Sequence, residues 1–220
     1  MGLKSLFYRD ARKYDQLLYA LHGEAYDMRF KRIAAHLSPG DKVLDIGCGT
    51  CHLASFMPPE TTYLGMDLNQ RFLQQAAARG IATRCADLFD VTAYPREYTT
   101  AVMVDMMHHL VPRGREFLTQ LGGLGYERLL ICESVTSGAK PWERVLAAWV
   151  DRDGFSSFWQ RVKHHLYEEY TVDSLKRLFE ETLPYQACYE EFASESEFTR
   201  KNPRIVFVNL LAIMEVPVQT

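Results

Sequence analysis

The stretch Val43–Ala54, VLDIGCGTCHLA, runs an apolar strand pattern into two glycines, two cysteines and a histidine. Two chemistries compete for it. Cys48 and Cys51 form a Cys-x-x-Cys pair, which matches a redox couple or half of a zinc site. A glycine turn after a buried strand instead matches a backbone cradle for a nucleotide-like ligand. The metal reading needs more ligands than the chain supplies: no second Cys-x-x-Cys and no nearby His-x-x-x-His completes a set of four. Cys85, Cys132 and Cys188 stand alone, and the first two fall in apolar runs where they are expected to pack in the core. The glycines therefore explain the loop, and no metal is expected.

Outward from the loop, short apolar runs alternate with helix-like segments. Strands are expected at 42–46, 62–66, 82–85, 101–105 and 128–133. Helices are expected between them at 50–57, 69–78 and 113–121, the second capped by Asn69 and closed by Gly80. This alternation implies an α/β fold, a doubly wound, mostly parallel sheet with helices on both faces. Upstream, residues 5–37 place Leu17, Leu21, Tyr26, Phe30, Ile33 and Leu37 at helical intervals, giving one or two helices that end at Ser38-Pro39-Gly40. After Glu133 the rhythm breaks into aromatic-rich helices over 140–152 and 155–170 and a helix over 172–182 capped by Thr171. Segments 187–193 and 204–215 then read as an antiparallel hairpin that completes a seven-stranded sheet. One domain over 1–220 is expected, with N-terminal helices at 1–40, a ligand-binding core at 41–135, a helical lid insertion and following helix at 138–182, and the hairpin at 183–220.

Of the 220 residues, 47% are hydrophobic and 24% charged, and the net charge is -3, so neither nucleic acid nor an anionic membrane is an expected partner. Lys31-Arg32 and the segment 161–165, with His164 and His165, read as solvated helix faces. The N-terminus turns charged by Arg9, too soon for a secretory segment, and no apolar run approaches the ~20 residues of a membrane span. Five cysteines, an odd number, fit reduced thiols and a cytoplasmic protein, either monomer or homodimer.

Ligands of an open α/β sheet sit outside the carboxyl ends of its strands, so chemistry is expected where strands turn into helices. Four such exits are polar. In DIGCGT, Asp45 precedes Gly47 and Gly49, which permit a tight turn, and the expected helix N-terminus offers N–H groups to an anionic group. In GMDLN, Asp67 follows Gly49 at about the interval that sets an acid beside ribose hydroxyls, with Leu68 next to it. In CADLFD, Asp87 and Leu88 are placed to meet the edge and face of an adenine. In VDMMHHL, Asp105 leads to the pair His108 and His109.

In this order and spacing the four segments resemble class I S-adenosylmethionine-dependent methyltransferases. VLDIGCGT looks like their first motif, YLGMDLN the second, ATRCADLFD the third and AVMVDMMHHL the fourth, over about Val43–Glu133. The resemblance implies a Rossmann-like fold and S-adenosyl-L-methionine as cofactor. Asp45 and the backbone of Gly47 and Gly49 would hold its methionine end, Asp67 with Leu68 the ribose, and Asp87 with Leu88 the adenine, with Asp105 completing the set. Cys51 departs from the pattern, standing where many members have a third glycine. An NAD(P)-dependent oxidoreductase is the nearest competitor, but its Gly-x-Gly-x-x-Gly pattern would need a glycine at His52. A protein that binds the cofactor without turnover is the other alternative.

Methyl transfer needs a nucleophile in line with the sulfonium methyl and a route for the nucleophile's proton. His108 and His109 follow the fourth strand directly, and an imidazole with a pKa near ~6.5 suits a general base; His108 is the first candidate. The exit lacks the Asn/Asp-Pro-Pro-Phe/Tyr pattern associated with methylating base amines or glutamine amides. The expected acceptor is a small, partly apolar molecule, aromatic or lipid-like, methylated on oxygen. Trp142, Trp149, Phe155, Phe158, Trp159, Tyr167 and Tyr170 supply flat apolar surface that could cover it. Tyr14, Tyr19, Tyr26 and His22 read as helix packing.

Overall fold

The computed structural model describes residues 7–150, 158–165 and 170–217. Five strands run parallel: β1 Lys42–Ile46, β2 Thr62–Asp67, β3 Thr83–Cys85, β4 Thr100–Val104 and β5 Arg128–Ser137. β6 Gln186–Ser194 and β7 Val206–Glu215 complete one seven-stranded sheet in the order β3-β2-β1-β4-β5-β7-β6, with β7 antiparallel to both neighbours. The chain winds from β1 out to β3 and returns to β4 on the other side of β1. That reversal opens a crevice beyond the carboxyl ends of β1 and β4, where ligands of such sheets bind.

Alternation along β1 builds the core on both faces. Leu44 and Ile46 pack with Met66, Met103 and Ile131 under α4 Gly114–Gly122 and α7 Val172–Thr182, which contribute Phe117 and Phe179. Val43 packs with Val102 and Leu211 under α2 Ala25–Ala35, which contributes Phe30 and Ile33. Each such side chain contributes roughly 1.5–3 kcal/mol through burial. Upstream of α2, α1 Ala11–His22 is capped by Asp10, whose carboxylate accepts from the N–H groups of Arg12 and Lys13. Gly23 separates the two helices at φ 58, and a Cβ there would lie 2.7 Å from the Glu195 carbonyl, so no side chain fits. α3 Gln70–Ala77 follows β2, α5 Pro141–Val150 and α6 Phe158–Lys163 follow β5, and the short α8 Glu197–Lys201 interrupts the expected C-terminal hairpin. Thr171 caps α7 in a reciprocal box with Ser174, as the sequence suggested.

Several expectations are corrected. The helix expected at 50–57 is a five-residue 3-10 turn, His52–Phe56. Cys51 just ahead of it is left-handed at φ 57, and Pro58-Pro59 stop it behind, so the loop is followed by no α-helix dipole. The Asn69 side chain does not cap α3; it donates instead to the Tyr8 carbonyl at 3.0 Å. Cys85 is exposed, because β3 is a three-residue strand at the sheet edge, whereas Cys132 is buried on β5.

Candidate active site

The four strand exits converge on one crevice. Gly47, Gly49, Asp67, Leu68, Asp87, Leu88 and Asp105 all line it, together with His109. Gly47 and Gly49 take φ 71 and 52, values that L side chains rarely adopt, and a Cβ at Gly49 would meet no atom within 4 Å, so its bare face opens to empty space. Asp67 braces the turn, accepting from the N–H of Gly49 at 2.9 Å and of Asn69 at 2.6 Å. The N–H groups of Gly47 and Cys48 donate to the Met66 carbonyl at 2.7 and 3.1 Å. The loop's donors are therefore consumed by the end of β2, contrary to the expected anion cradle. What the turn can offer a ligand is carbonyl oxygen, which suits an ammonium group. Asp87 is exposed and Leu88 is buried, an acceptor beside an apolar wall.

Asp45 lies one layer deeper, 3% exposed, in a smaller hollow behind the loop that Cys48, Thr50 and His52 share. Burial raises its pKa to about 7, with nearby Asp67 adding to the rise and a 2.6 Å hydrogen bond donated by Tyr63 opposing it. His52, the position of the dinucleotide pattern's third glycine, is tied to Asp27 at 2.8 Å and stacks on Tyr26. Cys48 and Cys51 place their sulfurs 3.4 Å apart above Gly65, whose missing Cβ makes room for both. Burial pushes the Cys48 thiol well above its ordinary pKa, so it is not an activated nucleophile. Among the described residues no group of three or more His, Cys, Asp or Glu could hold a metal ion.

A third hollow adjoins the crevice on the far side of Asp105. Leu17, Leu18 and Leu21 of α1 form one wall, and His108, Glu133, His164, His165 and Tyr170 line it as well. Tyr14 and Asp105 wall all three hollows. Asp105 is held at φ 52 by an ion pair with the fully buried Arg29 and by the Ser134 N–H at 3.0 Å. Burial alone would raise its pKa, but the charge of Arg29 brings it below the ordinary value. The two candidate bases part here. His108 faces the third hollow and is clamped through Nδ1 by Glu133 at 2.5 Å; Glu133 also accepts from the Met107 and His108 N–H groups. His109 turns to the crevice, 3.3 Å from the Tyr8 hydroxyl.

Residues 43–122 match a family model described as a methyltransferase domain. That stretch, about a third of the chain, is similar to a methyltransferase domain. Similar folds occur in the plantazolicin methyltransferase BamL, solved with a substrate analogue and S-adenosylhomocysteine (TM-score 0.59, 13% identity, 96% of this chain and 93% of that one). Phosphoethanolamine N-methyltransferase 2 of Haemonchus contortus, solved with S-adenosylmethionine, also matches (TM-score 0.58, 12% identity, 89% of this chain and 53% of that one). So does the YcgJ protein of Bacillus subtilis (TM-score 0.60, 11% identity, 87% and 99%). At these identities the likeness speaks for the fold. No curated protein matches the sequence. Nothing in these matches supports the dinucleotide alternative.

The third hollow was the least legible part of the sequence. His164, read as solvated, is 2% exposed and lines it, as do Tyr14 and His22, read as packing. Glu133, the last residue of the expected fifth strand, gave no signal beyond its position at a strand exit. Of the aromatics expected over the acceptor, Tyr170 lines the hollow. Trp142, Trp149 and Trp159 are 61%, 49% and 76% exposed and do not, because α5 turns Ala147 inward. Phe155 and Tyr167, like the Phe158 side chain, lie outside the described residues. No described helix is long and apolar enough to cross a membrane.

Proposed function

We propose that this protein moves the methyl group of S-adenosylmethionine to an oxygen of a small, partly apolar acceptor, with His108 as general base. The observation that supports this best is the junction at Tyr14 and Asp105: ligands in the crevice and in the third hollow meet there, and His108 stands on the acceptor side of it. The residues fit the cofactor. Carbonyls of the Gly47–Gly49 turn suit the amino group of its methionine end, with Asp45 behind them. Asp67 serves the ribose hydroxyls, Asp87 the adenine edge, and Leu68 and Leu88 its faces. When bound, S-adenosylmethionine supplies an electrophilic methyl on a sulfonium.

Glu133 holds the His108 ring through a hydrogen bond at Nδ1, and Nε2 is the nitrogen proposed to take the acceptor hydroxyl's proton. Glu133 acts as a positioning residue, and a base so oriented contributes about 10²–10⁴-fold. The α1 leucines exclude water from the reacting groups, and α5, through Ala147, with His164 and His165 covers the acceptor side. The test is incubation with methyl-labelled S-adenosylmethionine and a fractionated metabolite extract. Label is expected on small, solvent-extractable ethers; label on protein, label on nitrogen, or no transfer across the extract overturns the proposal.

A further inference from the structure

We infer that His22 recognises the acceptor, donating a hydrogen bond from Nε2 to a second oxygen of an uncharged hydroxy-carbonyl compound. This rests on the third hollow being the acceptor's seat, as proposed above. The donor is set by a buried relay. Asn209 of β7 is 0% exposed, and its amide nitrogen donates to the Phe192 carbonyl at 3.2 Å and to Ser194 Oγ at 2.9 Å. A carbonyl can only accept, so the first bond fixes which way the amide points. With that amide on its oxygen, the Ser194 hydroxyl has its own proton left for the neighbour at 3.3 Å, His22 Nδ1. With the hydroxyl donating to Nδ1, the ring proton sits on Nε2.

His22 ends α1, lies edge-on to Phe207 at 4.9 Å and lines the third hollow at 5% exposure. No described residue accepts from its Nε2. The ring opens onto the hollow, and a three-residue polar relay between β6, β7 and α1 occupies space that apolar side chains would fill more favourably. A donor reserved for a ligand accounts for the relay. Burial, reinforced by the charge of Arg29, lowers the pKa of His22 to about 3, so it meets the ligand as a neutral donor and not as a cation.

The lining favours the same class of molecule. Among the described residues it contains no Lys or Arg to receive a carboxylate or phosphate. The two acids among the described lining residues are engaged, Asp105 by Arg29 and the Ser134 N–H, and Glu133 by His108. Tyr14, Tyr170 and Phe207 offer aromatic walls to a ring.

The test compares 4-hydroxyacetophenone with 4-ethylphenol, which share the phenol and nearly the same shape but differ in the accepting oxygen. In calorimetry on the intact protein saturated with S-adenosylhomocysteine, the ketone should bind at least tenfold tighter. His22→Phe should bring the two within twofold of each other while ethylphenol affinity stays within twofold. His22→Gln, which keeps an N–H donor, should retain part of the preference and serves if the Phe variant fails to fold. Nitrogen-resolved imidazole NMR of the same complex should find the His22 proton on Nε2; a proton on Nδ1 overturns the relay. Equal binding of both phenols overturns the inference but leaves oxygen methylation standing if label is transferred. Binding of neither removes the acceptor class together with the inference. Preference for the ketone without transfer supports the role of His22 and overturns the transfer.

Discussion

The crevice proposed for the cofactor and the hollow proposed for the acceptor meet at Tyr14 and Asp105 but are made in different ways. The crevice is built from strand ends: each of its acids and glycines sits at or within a few residues of the end of β1, β2, β3 or β4, and backbone conformation does as much there as side chains. The hollow is assembled from α1, the exit of β4, β5, α5, β7 and the side chains of His164, His165 and Tyr170, parts far apart in the chain. A ligand common to many proteins can be held by local geometry, whereas a particular acceptor needs side chains that only tertiary folding brings together.

Substitutions on the two sides should separate accordingly. The largest effect is expected for His108→Ala, which should lower the rate of methyl transfer about 10²–10⁴-fold and leave S-adenosylhomocysteine affinity within twofold. An equal loss of both in calorimetry and kinetics would erase the division. Asp45→Asn probes the deep end of the crevice through stability. The folded carboxyl, raised from 3.8 to about 7 by burial, holds a proton that the unfolded chain releases, so this group costs stability as pH climbs through that window. The Asn variant cannot ionise and should gain up to about 4 kcal/mol over the parent above pH 7, shrinking towards pH 4. A thermal-melt difference that ignores pH would show that Asp45 is not the titrating group.

Asp67→Ala should weaken S-adenosylhomocysteine binding about 100-fold, since hydrogen bonds to a charged acceptor contribute roughly 1.5–3 kcal/mol each and the Gly47–Gly49 turn loses its brace. Unchanged affinity would remove Asp67 from the site. Glu133→Gln should lower kcat about tenfold, leave the KM for S-adenosylmethionine within twofold, and move the acid limb of the pH–rate profile lower, because a carboxylate no longer supports the His108 imidazolium. A purely structural Glu133 would move stability and not the profile. Tyr8→Phe should be the mildest, about two- to threefold in S-adenosylhomocysteine affinity, from loss of one neutral hydrogen bond to His109. A loss as large as that of Asp67→Ala would shift the weight of the crevice onto the segment ahead of α1.

What the sequence disclosed follows the same division. Continuous apolar runs such as 129–132 mark buried parallel strands, and the order of the exits gave the sheet and brought the crevice residues into view. The turn after β1 was misread because a helix N-terminus needs several consecutive right-handed residues, and Cys51 at φ 57 interrupts them where many relatives place a glycine. A left-handed cysteine costs about 1–2 kcal/mol locally, and no periodicity signals it. His22 and His164 look like ordinary helix positions, since one turn of sequence cannot reveal that β7 or Tyr170 lies opposite.

The short piece of chain from Tyr8 to Tyr14 has a mechanical consequence. Both tyrosines wall the two main hollows, and the piece is fastened by Asn69 to the Tyr8 carbonyl, by Gln75 to the Ala11 N–H and, just beyond it, by Thr50 to Asp15. One roof spans two rooms. Raising it to let spent donor out also exposes whatever lies next door, so departure of the two products and admission of their replacements become a single coordinated event in each cycle.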